Sequence, residues 1–424
     1  MGEMFYQCVW QYKMYGSEMM STVDGDEIEI VSQGLRNSDA GPDFFNAKVK
    51  INGTLWAGNI EIHTDSSSWY RHGHDKDHAY DNVILHVVGK SDGQRIYNAC
   101  GRQIPEVQLR YPKILEERYD ELMTARSPIR CKDYIAKVNE MEINSWLDRL
   151  LFERFEQRNK HVEQLFAEFN GDWNQVCFCL LARSLGGSVN GEPMELLARS
   201  TPVKILAKHN NPLQMEALLF GQSGLLPQVS DGSEYVGALI REYNFLKVKF
   251  SLEPMESSVW KFLRLRPSNF PSIRISQLAF VVALAQGNFE SVFRSIDIKT
   301  LMNVLAVSAS DYWNTHYTFG KESGTDCRKQ IGVNTRRLMI INAIIPFVFA
   351  YVRRYGKEQE QRNIMNMLSF LPIEKNSKLD AWIECGIVPK DEGEAQALLL
   401  LRKEYCDKAN CLMCRIGHLV WKAV

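Results

Sequence analysis

Three residues near the N-terminus have the types and spacing for metal-assisted hydrolysis. Asp43 follows Gly41-Pro42 and opens a run of alternating polarity, and Glu61 and His63 flank Ile62 in the next such run. Two carboxylates brought together hold a hard divalent cation, Mg²⁺ or Mn²⁺, that keeps several of its waters. Such a cation makes a bound water more acidic and offsets the charge that develops on a phosphate. The third group, His63, then acts as base or as ligand, and an imidazole ligand shifts the preference toward a softer ion such as Mn²⁺ or Zn²⁺. The polar face of a half-exposed strand produces the same Glu-x-His alternation without any chemistry. The neighbouring residues therefore decide how the pair is read.

Those neighbours are rich in histidine. Five of the nine histidines (63, 72, 74, 78 and 86) fall between residues 63 and 86, a concentration that suits a metal or acid–base centre. The run His72-Gly73-His74-Asp75-Lys76-Asp77-His78 adds carboxylates. His72, His74 and His78 therefore join Asp43 and Glu61 as candidate metal ligands, with a solvated His-rich loop as the alternative.

A second candidate centre lies at the other end of the chain. Cys406-x₄-Cys411-x₂-Cys414-x₃-His418 is compact, and three thiolates with one imidazole make a complete tetrahedral set for Zn²⁺. An iron–sulfur cluster competes, with a fourth cysteine such as Cys327 or Cys385 brought in by the fold. Three reduced thiols near a helix end are the plain alternative. The other cysteines are scattered and are expected to stay reduced in a cytoplasmic chain of this length. A metal here would be structural, tying down the last helix.

The elements that must position these residues follow from hydrophobic periodicity. Phe5 to Tyr15 has helical spacing and stops at Gly16; Glu27 to Val31 and Phe45 to Ile51 alternate as strands. Asn52-Gly53 marks a tight hairpin turn, with Leu55 to Thr64 as the return strand. Residues 66–80 read as loop or short helix, Asn82 to Val88 as a buried strand and Gln103 to Leu109 as another. From about Met141 strand signals nearly vanish and helical patterns dominate. The expectation is an α/β (α+β) N-terminal domain with a mixed sheet over residues 1–125, followed by a mostly α-helical domain over residues 126–424.

A strict two-residue turn at Asn52-Gly53 pairs Asp43 with Ile62 and places it among Ala47, Val49 and Ile51. Glu61 and His63 then lie on the opposite face, with Lys48 and Lys50. Asp43 reaches Glu61 only through a bulge, a longer loop or splaying at the strand end. Lys48 or Lys50 is the substitute cation on the Glu61 face.

The segments Gly41-Pro-Asp-Phe-Phe-Asn-Ala-Lys, Gly58-Asn-Ile-Glu-Ile-His, Ser68-Trp-Tyr-Arg-His-Gly-His-Asp and Tyr80-Asp-Asn-Val-Ile-Leu-His-Val-Val resemble an uncharacterised bacterial family of about this length, carried as a domain of unknown function. The resemblance covers most of the chain and implies no activity. Over residues 1–110, Pro42-Asp43 with Glu61-x-His63 and the element order also resemble the PD-(D/E)XK nucleases. That implies a restriction-endonuclease-like fold and a metal-dependent nuclease with Asp43, Glu61 and His63 as its catalytic residues. His63 stands where that pattern has lysine. His72 to His78 is similar to the His-x-His-x-Asp-His of metallo-β-lactamase-type hydrolases, with one extra residue before Asp-His. A catalytically inactive nucleic-acid- or protein-binding module and a His/Asp metallohydrolase are the alternatives to the nuclease.

Charge limits the partners. Fifty Lys and Arg against 51 Asp and Glu leave a net charge of -1, so no overall basic field attracts DNA or RNA. A nucleic-acid contact needs a local patch, and Lys261, Arg264, Arg266 and Arg274 interleaved with Trp260, Phe262 and Phe270 supply one. A solvated face over an aromatic core gives the same pattern. The first sixteen residues lack the apolar core of a signal peptide, and Leu338 to Val352 is short for a bilayer span and reads as a buried helix.

Overall fold

The structure is a computed structural model that describes residues 1–16, 20–37, 39–294 and 297–422. The chain forms two compact units. The first comprises Met1–Trp146, Asp380–Ile387 and Leu401–Val424, and the second Leu147–Leu379 and Val388–Leu400. Where the sequence suggests a division at residue 125, the first unit runs on to Trp146. It also takes back two later segments, one of which carries the C-terminal cysteines.

In chain order the first unit contains α1 (Glu3–Gln11), β1 (Met20–Ser21), β2 (Glu27–Ser32), β3 (Leu35–Arg36), β4 (Phe44–Ile51), β5 (Thr54–Asp65), α2 (Ser68–Arg71), β6 (Val83–Lys90), β7 (Ile96–Tyr97), β8 (Gln103–Ile104), β9 (Glu106–Gln108) and α3 (Ile114–Thr124). The main sheet has the order β1-β2-β4-β5-β6-β9, with β3 on the end of β4. Pairing is antiparallel from β1 to β5 and parallel from β5 through β6 to β9. The sheet is therefore mixed, as expected. Residues 83–88 of β6 are buried throughout, which is why this strand reads as an unbroken apolar run rather than an alternation.

α1 covers one face of the sheet, burying Phe5, Tyr6, Cys8, Val9 and Trp10. It packs closely where β6 lacks a side chain: a Cβ on Gly89 would lie 2.2 Å from the Tyr6 ring. At the hairpin, Asn52 (φ 48°) and Gly53 (φ 80°) both take positive φ, the conformation that a two-residue turn matched to strand twist requires.

The second unit is helix-rich, with one large apolar core. Helix Trp173–Ser200 is interrupted at Gly187 and Asn190 and carries Pro193. The apolar run near residue 340 lies within a helix, Val333–Tyr355, long and apolar enough to cross a membrane. In this structure its residues Met339 and Phe347 are completely buried in the core of the unit.

Candidate functional site

One register shift decides the geometry of the site. β4 and β5 pair as a strict two-residue turn dictates from Ile51↔Thr54 to Ala47↔Gly58, but the next pair is Phe44↔Ile60. One extra residue has been taken up on β4, where Asn46 has φ 55°. This is a β-bulge, and asparagine tolerates its left-handed backbone better than most residues. The strict register fails here: Asp43 does not end opposite Ile62. Its backbone N–H donates to Glu61 Oε2 (3.0 Å), while its own Oδ2 accepts from the N–H of Ile62 (3.0 Å). The two carboxylates are neighbours after all. Deleting Asn46 should restore the simple register, turn Asp43 to the other face and abolish the metal binding expected of the paired carboxylates. Asn46→Gly should leave metal binding intact, and Asn46→Val should cost about 1–2 kcal/mol through left-handed strain. Mn²⁺ titration and urea unfolding of the three variants test this.

Parallel pairing carries the row onward. Glu61 is opposite His86 on β6, and His86 is opposite Glu106 on β9. His63 Nδ1 lies 2.8 Å from His86 Nε2, and His86 Nδ1 lies 3.0 Å from Glu106 Oε2. Glu106 Oε1 also accepts from the hydroxyls of Ser66 (2.8 Å) and Ser91 (2.6 Å). The chain of bonds fixes the tautomers. With Glu106 Oε2 as the acceptor, His86 donates from Nδ1 and presents a lone pair at Nε2. His63 must then donate from Nδ1, which leaves its Nε2 as a lone pair aimed away from the sheet.

The segment after β5 supplies the facing groups. Asp65 Oδ1 accepts from the backbone N–H and hydroxyl of Ser68 (both 3.0 Å) and from the Ser67 hydroxyl (2.8 Å). This starts α2, as short side-chain acceptors do at helix entries. Trp69 in α2 is fully buried against the rings of His63, His74 and His86 and donates its indole N–H to Tyr97 O (3.0 Å). Gly73 (φ 75°) turns the chain so that His72 and His74 both fold back over His63.

His63 Nε2 and Glu61 Oε1 link the members of the group. His63 Nε2 lies 3.1 Å from His72 Nδ1 and 3.5 Å from Glu61 Oε1, and His74 Nε2 lies 3.4 Å from the same oxygen. His63, His72 and His74 offer ligand atoms that all lie within 4.8 Å of one another. His74 Nε2 is buried without a hydrogen-bond partner, and its ring stacks on Tyr80 at 3.8 Å. His72 is exposed, so the group opens to solvent on its side.

Burial sets the charge states. It raises Glu61 to about 8, partly offset by the Asp43 N–H. It raises Asp43 to about 7, with Glu61 adding repulsion and the Ile62 and Gln7 bonds opposing. Burial, then the adjacent imidazoles, lowers His63 to about 2 and so holds it neutral. His74 is also lowered by burial. Glu3 in α1 adds to the repulsion on both carboxylates. Burial thus holds both the carboxyls and the imidazoles of the group toward their uncharged forms.

The other expected site residues are elsewhere. His78 bonds to Asp81 Oδ2 (2.8 Å) and groups with Asp81 and Cys100, apart from His72 and His74. Lys48 sits opposite Ala57, four positions along β5 from Glu61 and so about 13 Å away. Lys50 is paired with Glu29 at 2.9 Å. Lys261, Arg264 and Arg266 are exposed. Arg274 is not a surface cation: it is buried and bonded to Gln277 (2.8 Å), Asn269 (2.7 Å) and Thr335 (3.4 Å). Trp260 is buried too, donating its indole N–H to Ser223 O (2.8 Å), and offers no stacking face. Cys406, Cys411 and Cys414 lie together, joined by Cys131. His418 instead stacks on Tyr12 at 3.9 Å. Cys327 belongs to the second unit.

Gln7, Glu106 and Cys131 carry no local motif. Gln7 Nε2 donates to Asp43 Oδ1 (2.8 Å), and its Oε1 accepts from Arg36 (3.0 Å). Glu106 had one legible signal, a lone carboxylate entering an apolar strand.

A profile of the family described as Protein of unknown function (DUF2851) matches residues 3–377. The chain belongs to that family. The matched span holds the whole carboxylate–histidine group and Cys131, and stops before Cys406, Cys411 and Cys414. No curated protein and no solved structure matches the chain.

Proposed function

We propose that this chain is a divalent-metal-dependent hydrolase of phosphodiester bonds, a nuclease, in which Glu61, His63, His72 and His74 hold the metal and Asp43 stands beside them. One observation carries the reading. Glu61 Oε1 faces His63 Nε2 at 3.5 Å and His74 Nε2 at 3.4 Å, and the relay to Glu106 makes His63 Nε2 an acceptor. Imidazoles held neutral around a buried carboxyl make a pocket in which a cation can take the place of the carboxyl proton. The donor set of imidazoles and one carboxylate fits Mn²⁺ or Zn²⁺ better than Mg²⁺.

The phosphodiester assignment rests on order within the sheet. An acid at the start of β4, Glu-x-His on antiparallel β5 and a parallel β6 reached through a helical turn are similar to the PD-(D/E)XK arrangement. The chain departs from it at His63, which replaces lysine, and in its short crossover helix.

A divalent cation bound here supplies Lewis-acid stabilisation of phosphate and a more acidic water. The protein's own groups do the rest. His63 is held neutral and oriented by His86. Asp43, raised by burial and by Glu61, stands beside the group as its candidate proton acceptor. Trp69 and Tyr80 exclude water from the inner side.

A second reading is a metal-containing binding module without catalysis. It is favoured by Asp43, whose two oxygens already accept from Gln7 and Ile62, and by the missing lysine. Labelled single- and double-stranded DNA and RNA, incubated with protein and Mn²⁺ or Zn²⁺, separate the two. The nuclease reading expects cleavage by wild type and none by Glu61→Ala. Metal binding without cleavage leaves the binding module, and full activity in Glu61→Ala overturns the site.

A further inference from the structure

The C-terminal cysteines meet a partner that their own stretch of sequence does not contain. Cys131, Cys406, Cys411 and Cys414 line one cavity together with Trp382 and Tyr405. All four are free thiols; three are buried and Cys406 is partly so. They come from segments far apart in sequence that all belong to the first unit.

Burial is the largest influence on each sulfur and raises all four thiols. The backbone N–H groups of Ile416 and Gly417 oppose the upward push of burial on the Cys414 thiol. Donors aimed at sulfur stabilise thiolate and are the usual outer partners of a thiolate-bound metal. Gly417 allows the approach: a Cβ there would lie 2.3 Å from Cys411 O. Burial outweighs the opposing pull of Arg130 on Cys411, and burial with the neighbouring sulfurs outweighs that of Arg402 on Cys406. The histidine of the motif is absent from the cavity lining, its ring stacked on Tyr12.

We propose that Cys131, Cys406, Cys411 and Cys414 form a tetrathiolate metal centre, for one Zn²⁺ or one iron–sulfur cluster, that fastens residues 401–422 within the first unit. Four thiolates complete the coordination of either. A link between positions so distant in sequence closes a long loop, where a cross-link has most to offer. Binding releases the thiol protons and couples directly to folding.

The test uses full-length protein purified without oxygen. Metal analysis should find about one zinc, or several irons with sulfide and broad visible absorption, in addition to any metal at the N-terminal group. X-ray absorption at that metal's edge should show sulfur-only coordination. Cys131→Ser should lose this metal and expose residues 401–422 to protease, whereas His418→Ala and His72→Ala should keep it. Zinc binding and an iron cluster both support the proposal and differ in which metal appears. A nitrogen ligand in the wild-type spectrum, loss of the metal in His418→Ala with retention in Cys131→Ser, or absence of both zinc and iron overturns it. The wild-type spectrum decides even where Cys131→Ser does not fold.

Discussion

Glu61→Ala is expected to weaken Mn²⁺ and Zn²⁺ binding by more than the ~10–100-fold that Glu106→Gln should cost. Glu61 presents a carboxylate oxygen that faces both His63 and His74, so its loss should remove a proposed ligand. Glu106 touches none of these atoms. It acts through His86, and its neutral replacement lets His86 and His63 exchange tautomers, so that His63 Nε2 carries a proton for part of the time. Calorimetric titration with each metal ranks the variants. Equal losses would mean that Glu106 supports the fold rather than the ligand.

The same group predicts a pH dependence. Asp43 near 7 and Glu61 near 8 lie above ordinary carboxyl values. Between those ordinary values and 7–8, the metal-free folded protein binds protons that the unfolded chain has released. Its stability therefore falls as pH rises through this window, at up to about 1.4 kcal/mol per pH unit for each group. A bound cation replaces those protons, so metal affinity rises over the same range. Thermal unfolding with chelator should show Tm falling from pH 5 to pH 8, and Glu61→Gln should flatten the slope. A wild-type Tm that rises over this range with chelator would contradict the burial of the pair.

Trp69→Ala should destabilise the first unit by about 3–5 kcal/mol. The indole is fully buried and forms the common wall behind His63, His74 and His86. Its removal leaves a cavity into which three imidazoles can turn, so metal affinity should fall together with stability. Trp69→Phe keeps most of the wall and loses the bond to Tyr97 O, a cost of about 1 kcal/mol, and should keep most of the affinity. Urea unfolding and metal titration of both variants check this. Undiminished affinity in Trp69→Ala would show that hydrogen bonds alone hold the rings.

Much of the first unit was legible from local pattern. The alternation from Phe45 to Ile51, Asn52-Gly53 and the apolar run Asn82 to Val88 announced β4, the turn and β6, because side-chain period and turn backbone are local properties. Clustered histidines marked this region, and the structure brings His72 and His74 together with His63. His78 shares that cluster only in sequence; three residues beyond Asp75 the chain has already turned toward Asp81. The basic–aromatic run near residue 260 read the same whether its residues faced water or core. Burial of Trp260 and Arg274 removed them from any surface.

What the sequence alone determined is the pair Glu61 and His63 on one face of one strand, since residues two apart in a strand must share a face. Whether Asp43 joined them was a tertiary matter. It turned on a single bulge at Asn46, which costs one residue of register and reverses the side to which everything before it points. The relay to His86 and Glu106 likewise needed the parallel pairing of β5, β6 and β9, and Cys131 needed the return of the C-terminus to the first unit. Such pairings join residues far apart in the chain, and no local periodicity encodes them.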